Sequence, residues 1–116
     1  MKNTYTFQEG ENRFLKEFDT NFTFKSIVED SRCPKEVKCI WQGVGTVEVE
    51  VIGIFTRPKI LKLSTLNDVK KGYENSVEFN NLIVSLVELN PYPSKKIAIE
   101  DRKYSVVLKI IKKNTD

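Results

Sequence analysis

Val44-Gly45-Thr46-Val47-Glu48-Val49-Glu50-Val51-Ile52-Gly53-Ile54-Phe55 is the stretch that decides the fold class. Val47, Val49 and Val51 fall on one side and Glu48 and Glu50 on the other. That is the period of two of a half-buried strand, not the 3.6 of a helix. Gly53 reads as a bulge or bend. The two glutamates also keep this stretch, the longest mostly apolar one, from resembling a bilayer-crossing helix.

Working outward, the same period recurs. Lys59 to Leu66 sets Leu61 and Leu63 against Lys62 and Ser64. Asn67 to Ser76 is a polar loop with Gly72 and room for one helical turn. Ser76 to Phe79 is a short strand, and Asn80-Asn81 suits a tight turn. Leu82 to Leu89 is apolar on both faces, which predicts a strand buried on both sides. Asn90-Pro91-Tyr92-Pro93 ends it, because proline has no N–H for the ladder. Lys103 to Lys112 places Tyr104, Val106, Leu108 and Ile110 on one face. On the N-terminal side, Phe22 to Glu29 puts Phe22, Phe24, Ser26 and Val28 together. Arg13 to Phe18 fits either a strand or one helical turn, and Thr4 to Gln8 fits a short first strand.

The tally is about seven strands joined by polar turns, with no helix-period segment able to cross between parallel strands. The expected fold is all-β, a single antiparallel domain over residues 1–116, closed as a sandwich or a barrel. A chain of 116 residues, 40% hydrophobic and 30% charged, suits one soluble globular domain.

Composition also narrows the chemistry. The chain has no histidine, so serine–histidine and cysteine–histidine catalysis are excluded within it. Net charge is +3, and the lysines form only pairs: Lys70-Lys71, Lys95-Lys96 and Lys112-Lys113. A nucleic-acid surface needs a denser basic stripe with interleaved aromatics, so no nucleic-acid partner is expected. No cofactor motif is present. Glu48 and Glu50 share a face that reads as solvated, and Glu29 and Asp30 point to opposite faces. Neither pair has the cleft-flanking arrangement of glycoside hydrolysis. Asp68, Glu74 and Glu78 match no calcium loop. Met1, the only methionine, precedes a polar Lys2-Asn3-Thr4 and reads as a start added to a mature segment whose export signal has been removed.

Cys33 and Cys39 bracket Pro34-Lys35-Glu36-Val37-Lys38. A zinc site lacks its other ligands, and the spacing is wrong for a thioredoxin-type pair. The remaining reading is a structural disulfide across a turn favoured by Pro34. Such a bond persists in oxidising compartments: periplasm, cell surface or medium.

Two runs carry a resemblance. Asp30-Ser31-Arg32-Cys33-Pro34, Val37 and Cys39-Ile40-Trp41-Gln42-Gly43 form the first, a D-S-R-C-P-x-x-V-x-C-x-W-x-G pattern. Leu86, Leu89-Asn90-Pro91-Tyr92-Pro93, Tyr104 and Leu108 form the second. Together they resemble a family of small exported bacterial domains of the Bacteroidetes type, often lipoproteins. The resemblance implies an envelope location and an all-β fold, and no activity. No lipobox cysteine precedes the pattern, so any lipid anchor would lie outside this chain.

Candidate binding residues are Arg32, Trp41, Gln42 and Tyr92. Trp41 either packs on the staple over one end of the core or offers an aromatic platform to a sugar or peptide. Arg32 either pairs with Asp30 to fix the loop or grips a carboxylate or phosphate. Tyr92, stiffened by two prolines, either caps the end of the fold or anchors a ligand. The expected function is a non-enzymatic binding module of the envelope, displaying the disulfide and Pro-Tyr-Pro loops to a protein or glycan. Two other readings are a structural subunit of an envelope assembly and a hydrolase using carboxylates alone.

Overall fold

The computed structural model describes residues 3–98 and 102–113. Met1, read above as an added start, lies outside the described residues. Among the described residues eight strands form: β1 (Thr4–Gln8), β2 (Asn12–Leu15), β3 (Thr20–Asp30), β4 (Gly45–Gly53), β5 (Lys59–Ser64), β6 (Ser76–Phe79), β7 (Leu82–Asn90) and β8 (Ser105–Lys112). They make two antiparallel four-stranded sheets, in the orders β1-β8-β7-β6 and β2-β3-β4-β5. The sheets pack face to face without joining, so the fold is a sandwich and not a closed barrel. The ambiguous stretch Arg13 to Phe18 becomes both of its alternatives, β2 and then a 3-10 turn over Lys16–Phe18. A second 3-10 turn over Val69–Lys71 supplies the helical turn expected in the polar loop.

Alternation dictates the core. Val47, Val49 and Val51 of β4 and Val106, Leu108 and Ile110 of β8 are all fully buried. Phe7 and Phe22 meet across the two sheets, ring centroids 6.4 Å apart. Burying each such side chain contributes about 1.5–3 kcal/mol.

Two expectations need correction. β7 is buried on one face only: Leu82, Val84, Leu86 and Leu89 point inward, while Val87 and Glu88 are exposed. Among the described residues no further layer covers its outer face, and a register shift between Leu86 and Glu88 breaks the alternation. In β3 the expected face holds for Phe22 and Phe24 and then fails. Register shifts at Phe24/Ser26 and Ile27/Glu29 turn the strand, so Ile27 packs against the core and Val28 is exposed. An extra residue in one strand inverts the facing of everything after it.

The strand ends gather at two poles. One holds the end of β3, the start of β4 and the end of β7, with the disulfide loop between β3 and β4. The opposite pole holds the β4–β5 hairpin and the Asn80-Asn81 turn, both of whose residues have positive φ (49° and 64°) as a tight hairpin requires.

Candidate functional site

Cys33 and Cys39 form a disulfide, with Cα atoms 6.0 Å apart. The loop they close stands on a narrow neck. Ser31 N donates to Val44 O at 2.8 Å, and Cys33 N donates to Gln42 O at 2.9 Å. Gly43 sits in that neck at φ 77°, and a Cβ there would lie 1.8 Å from Ser31 O. Only glycine fits this approach. A disulfide points to a non-cytoplasmic environment. Among the described residues, no helix is long and apolar enough to cross a membrane.

Beneath the loop lies a buried charged cluster. Asp30 and Arg32 form a fork-to-fork pair, Nε to Oδ1 at 2.7 Å and Nη2 to Oδ2 at 3.0 Å. Tyr104 Oη donates to Asp30 Oδ2 at 2.7 Å, and Arg102 Nη1 donates to the same oxygen at 3.1 Å. The side chains of Asp30, Arg32 and Arg102 are 6%, 6% and 8% exposed. Burial alone would push the Asp30 carboxyl up. Hydrogen bonds from Arg32 and Tyr104, with the Arg32 charge, outweigh it and hold the group below its ordinary value. Burial, and hydrogen bonding to the Asp30 carboxylate, push the Tyr104 phenol up.

Arg32 also reaches across the sandwich. Nη1 donates to Leu89 O at 2.7 Å and Nη2 to Pro91 O at 2.9 Å. The Pro-Tyr-Pro loop is therefore fastened directly to the root of the disulfide loop. Two further links join them: Lys35 N to Pro93 O at 3.2 Å, and the Glu36 carboxylate, which accepts from Ser94 Oγ and from Lys95 N. The Ser94 and Lys95 donors hold the Glu36 carboxyl below its usual range. The Asn90–Pro91 peptide is cis.

A cleft of about 330 Å³ opens between these loops, lined by Arg32, Gln42, Thr65, Glu88, Asn90 and Tyr92 among others. Three sequence-identified candidates therefore meet: Arg32, Gln42 and Tyr92. Arg32 forms the floor, its donors turned inward, as the pairing alternative holds. Tyr92 is 51% exposed and stands against the guanidinium, ring centroid 5.4 Å from Cζ. Trp41 does not line the cleft. It is 44% exposed and lies outside the core cluster, with Lys71 Nζ 4.4 Å from its ring centroid. It is neither a cover for the core nor a bare platform, since a cation occupies one face.

Sequence reading did not place Arg102, Tyr104, Glu36 or Ser94 in this assembly. Arg102 and Tyr104 lie just before β8, in a segment with no regular periodicity to mark them. Their partner Asp30 lies 72 and 74 residues away, and no local pattern encodes that distance. Comparison with models of protein families, with curated proteins and with solved structures found no match.

Proposed function

We propose that this chain is a non-enzymatic binding module of an exported or cell-envelope protein. Its recognition surface is the disulfide pole. One observation carries the reading: the disulfide loop and the Pro-Tyr-Pro loop are cross-linked by Arg32, Lys35 and Glu36 into one unit. A surface ordered before contact loses less entropy on binding. Gln42 and Tyr92 then supply a polar group and an aromatic face at the mouth of a small cleft. The cleft is at the low end of the roughly 300–1,000 Å³ of small-molecule sites. It suits one sugar ring or one peptide side chain at the end of a larger envelope glycan or protein. The disulfide and the resemblance support periplasm, outer membrane surface or medium as the compartment.

The test is an NMR titration of the labelled domain with fragments of cell-wall and capsular glycans and with a peptide library. Shifts should concentrate on Gln42, Thr65, Asn90 and Tyr92, and Tyr92→Ala should weaken binding about tenfold, as for an aromatic anchor. Shifts that avoid the cleft, or survive Tyr92→Ala unchanged, overturn the reading. A protease-inhibitor version is checked with a protease panel. Unchanged rates at micromolar protein dismiss it.

A structural role has one observation in its favour. Cross-strand register places Phe14 of β2 and Ile52 of β4 on either side of Asn21, on the outer face of the second sheet. Phe14 is 56% exposed, and Ile60 on neighbouring β5 is also exposed. Phe14→Glu should abolish assembly with an envelope partner if that face is used, and leave glycan or peptide binding unchanged.

A further inference from the structure

The pole opposite the cleft carries a feature that neither the core nor the disulfide pole explains. Between β4 and β5 the chain turns through Ile54-Phe55-Thr56-Arg57-Pro58. Ile54 is 52% exposed and Phe55 is wholly so. Phe55 also holds φ at 59°, a left-handed conformation that a bulky side chain rarely adopts. The turn is fastened from beneath. Gly53 N donates to Thr56 Oγ1 at 2.7 Å, and Thr56 Oγ1 donates back to Gly53 O at 3.2 Å. A Cβ on Gly53 would come 2.9 Å from Asn80 Nδ2, so the base of the hairpin also abuts the neighbouring turn. Exposure and local strain both disfavour this arrangement in water, yet it is built and braced.

We infer that this tip is a membrane-contact element that inserts Ile54 and Phe55 into the interface of a bilayer bearing anionic lipids. The charge around the tip selects that occupant. In the turn and the first residue of β5 the charged residues are Arg57 and Lys59, and Lys112 and Lys113 lie at the same pole beside Asn80-Asn81, against Glu17 and Asp19. Arg57 and Lys59, both exposed, immediately follow the apolar pair, where they would meet phosphate as the side chains enter the acyl boundary. A cation near an anionic surface contributes about 1 kcal/mol, and since even one myristoyl chain binds only marginally and reversibly, two apolar side chains need that help. The tip is a convex projection of two side chains. A contact made by two side chains alone does not reach the roughly 800 Å² per partner of a stable protein interface. The inference does not depend on what the cleft binds, because the two surfaces are at opposite poles.

The test is co-sedimentation of the full chain with large vesicles of phosphatidylcholine alone and of phosphatidylcholine mixed with phosphatidylglycerol. The protein should sediment with the mixed vesicles, less so as salt is raised. Phe55→Ser should reduce the partition constant about tenfold, as expected for withdrawing one aromatic from an apolar environment. Arg57→Glu with Lys59→Glu should abolish binding. Both variants alter exposed side chains, and an unchanged melting temperature will show that they fold. Absence of binding to mixed vesicles, equal binding to neutral ones, or full binding by Phe55→Ser overturns the inference. So does a concentration-dependent dimer that Phe55→Ser dissolves while vesicles leave it untouched.

Discussion

Asp30 is the residue on which the disulfide pole depends. It accepts from Arg32, Tyr104 and Arg102 at once, in a largely buried site. Removing its charge would leave two buried guanidinium groups uncompensated, at a cost of about 3 kcal/mol. Asp30→Asn should therefore lower the urea midpoint without changing the slope. The pH response follows from the depressed carboxyl. In the unfolded chain an aspartate takes up its proton near pH ~3.9. The folded protein resists protonation below that, so this contribution is fully present above the ordinary value. It is lost as pH falls through the lower folded one. Stability of the parent protein should fall steeply from about pH 4 downward, and Asp30→Asn should fall less steeply over the same window. Equal slopes in urea melts at stepped pH would show that the cluster does not titrate as a unit. At this scale the sequence was half legible. The Asp30–Arg32 pair is two residues apart and readable, whereas Tyr104 joins it only through the fold.

At the scale of elements, the disulfide loop and its neck make separable contributions. The bond closes a short loop, with the cysteines separated by 6 positions. Chain entropy assigns such a bond about 2.4 kcal/mol. Cys33→Ser with Cys39→Ser should lose about that much stability, while proton spectra of Val49 and Leu108 in the core keep their dispersion. Gly43→Ala should cost at least as much, about 2–3 kcal/mol, because it combines a positive φ with a backbone clash. Thermal melts of the two variants decide the point, and a neutral Gly43→Ala would mean that the neck is not as close as described. Strands were the most legible elements, since alternation at Val47 to Val51 and at Tyr104 to Ile110 needs no context. The failures fell where register shifts. Nothing in Ser26-Ile27-Val28 marks the irregularity that exposes Val28, and both faces of Leu82 to Leu89 are apolar enough to hide which one is inside.

For the whole molecule, the sandwich separates two poles by the length of its strands. All-β character was legible from the period of two. Sandwich as against barrel was not, because closure depends on which strands pair, and the pairing of β1 with β8 joins opposite ends of the chain. The packing of the two sheets brings Tyr104 to Asp30 and the end of β7 to Arg32, so the cross-linked pole is a product of topology and not of any one segment. A preformed binding surface requires the disulfide loop and the Pro-Tyr-Pro loop to move as one body. Native-state hydrogen exchange tests this at the amides of Cys33, Lys35 and Lys95, which donate to Gln42 O, Pro93 O and Glu36 respectively. Their opening free energies and denaturant dependences should coincide, as for one cooperative unit. A protected Cys33 beside freely exchanging Lys35 and Lys95 would show two independent loops and contradict the preformed surface.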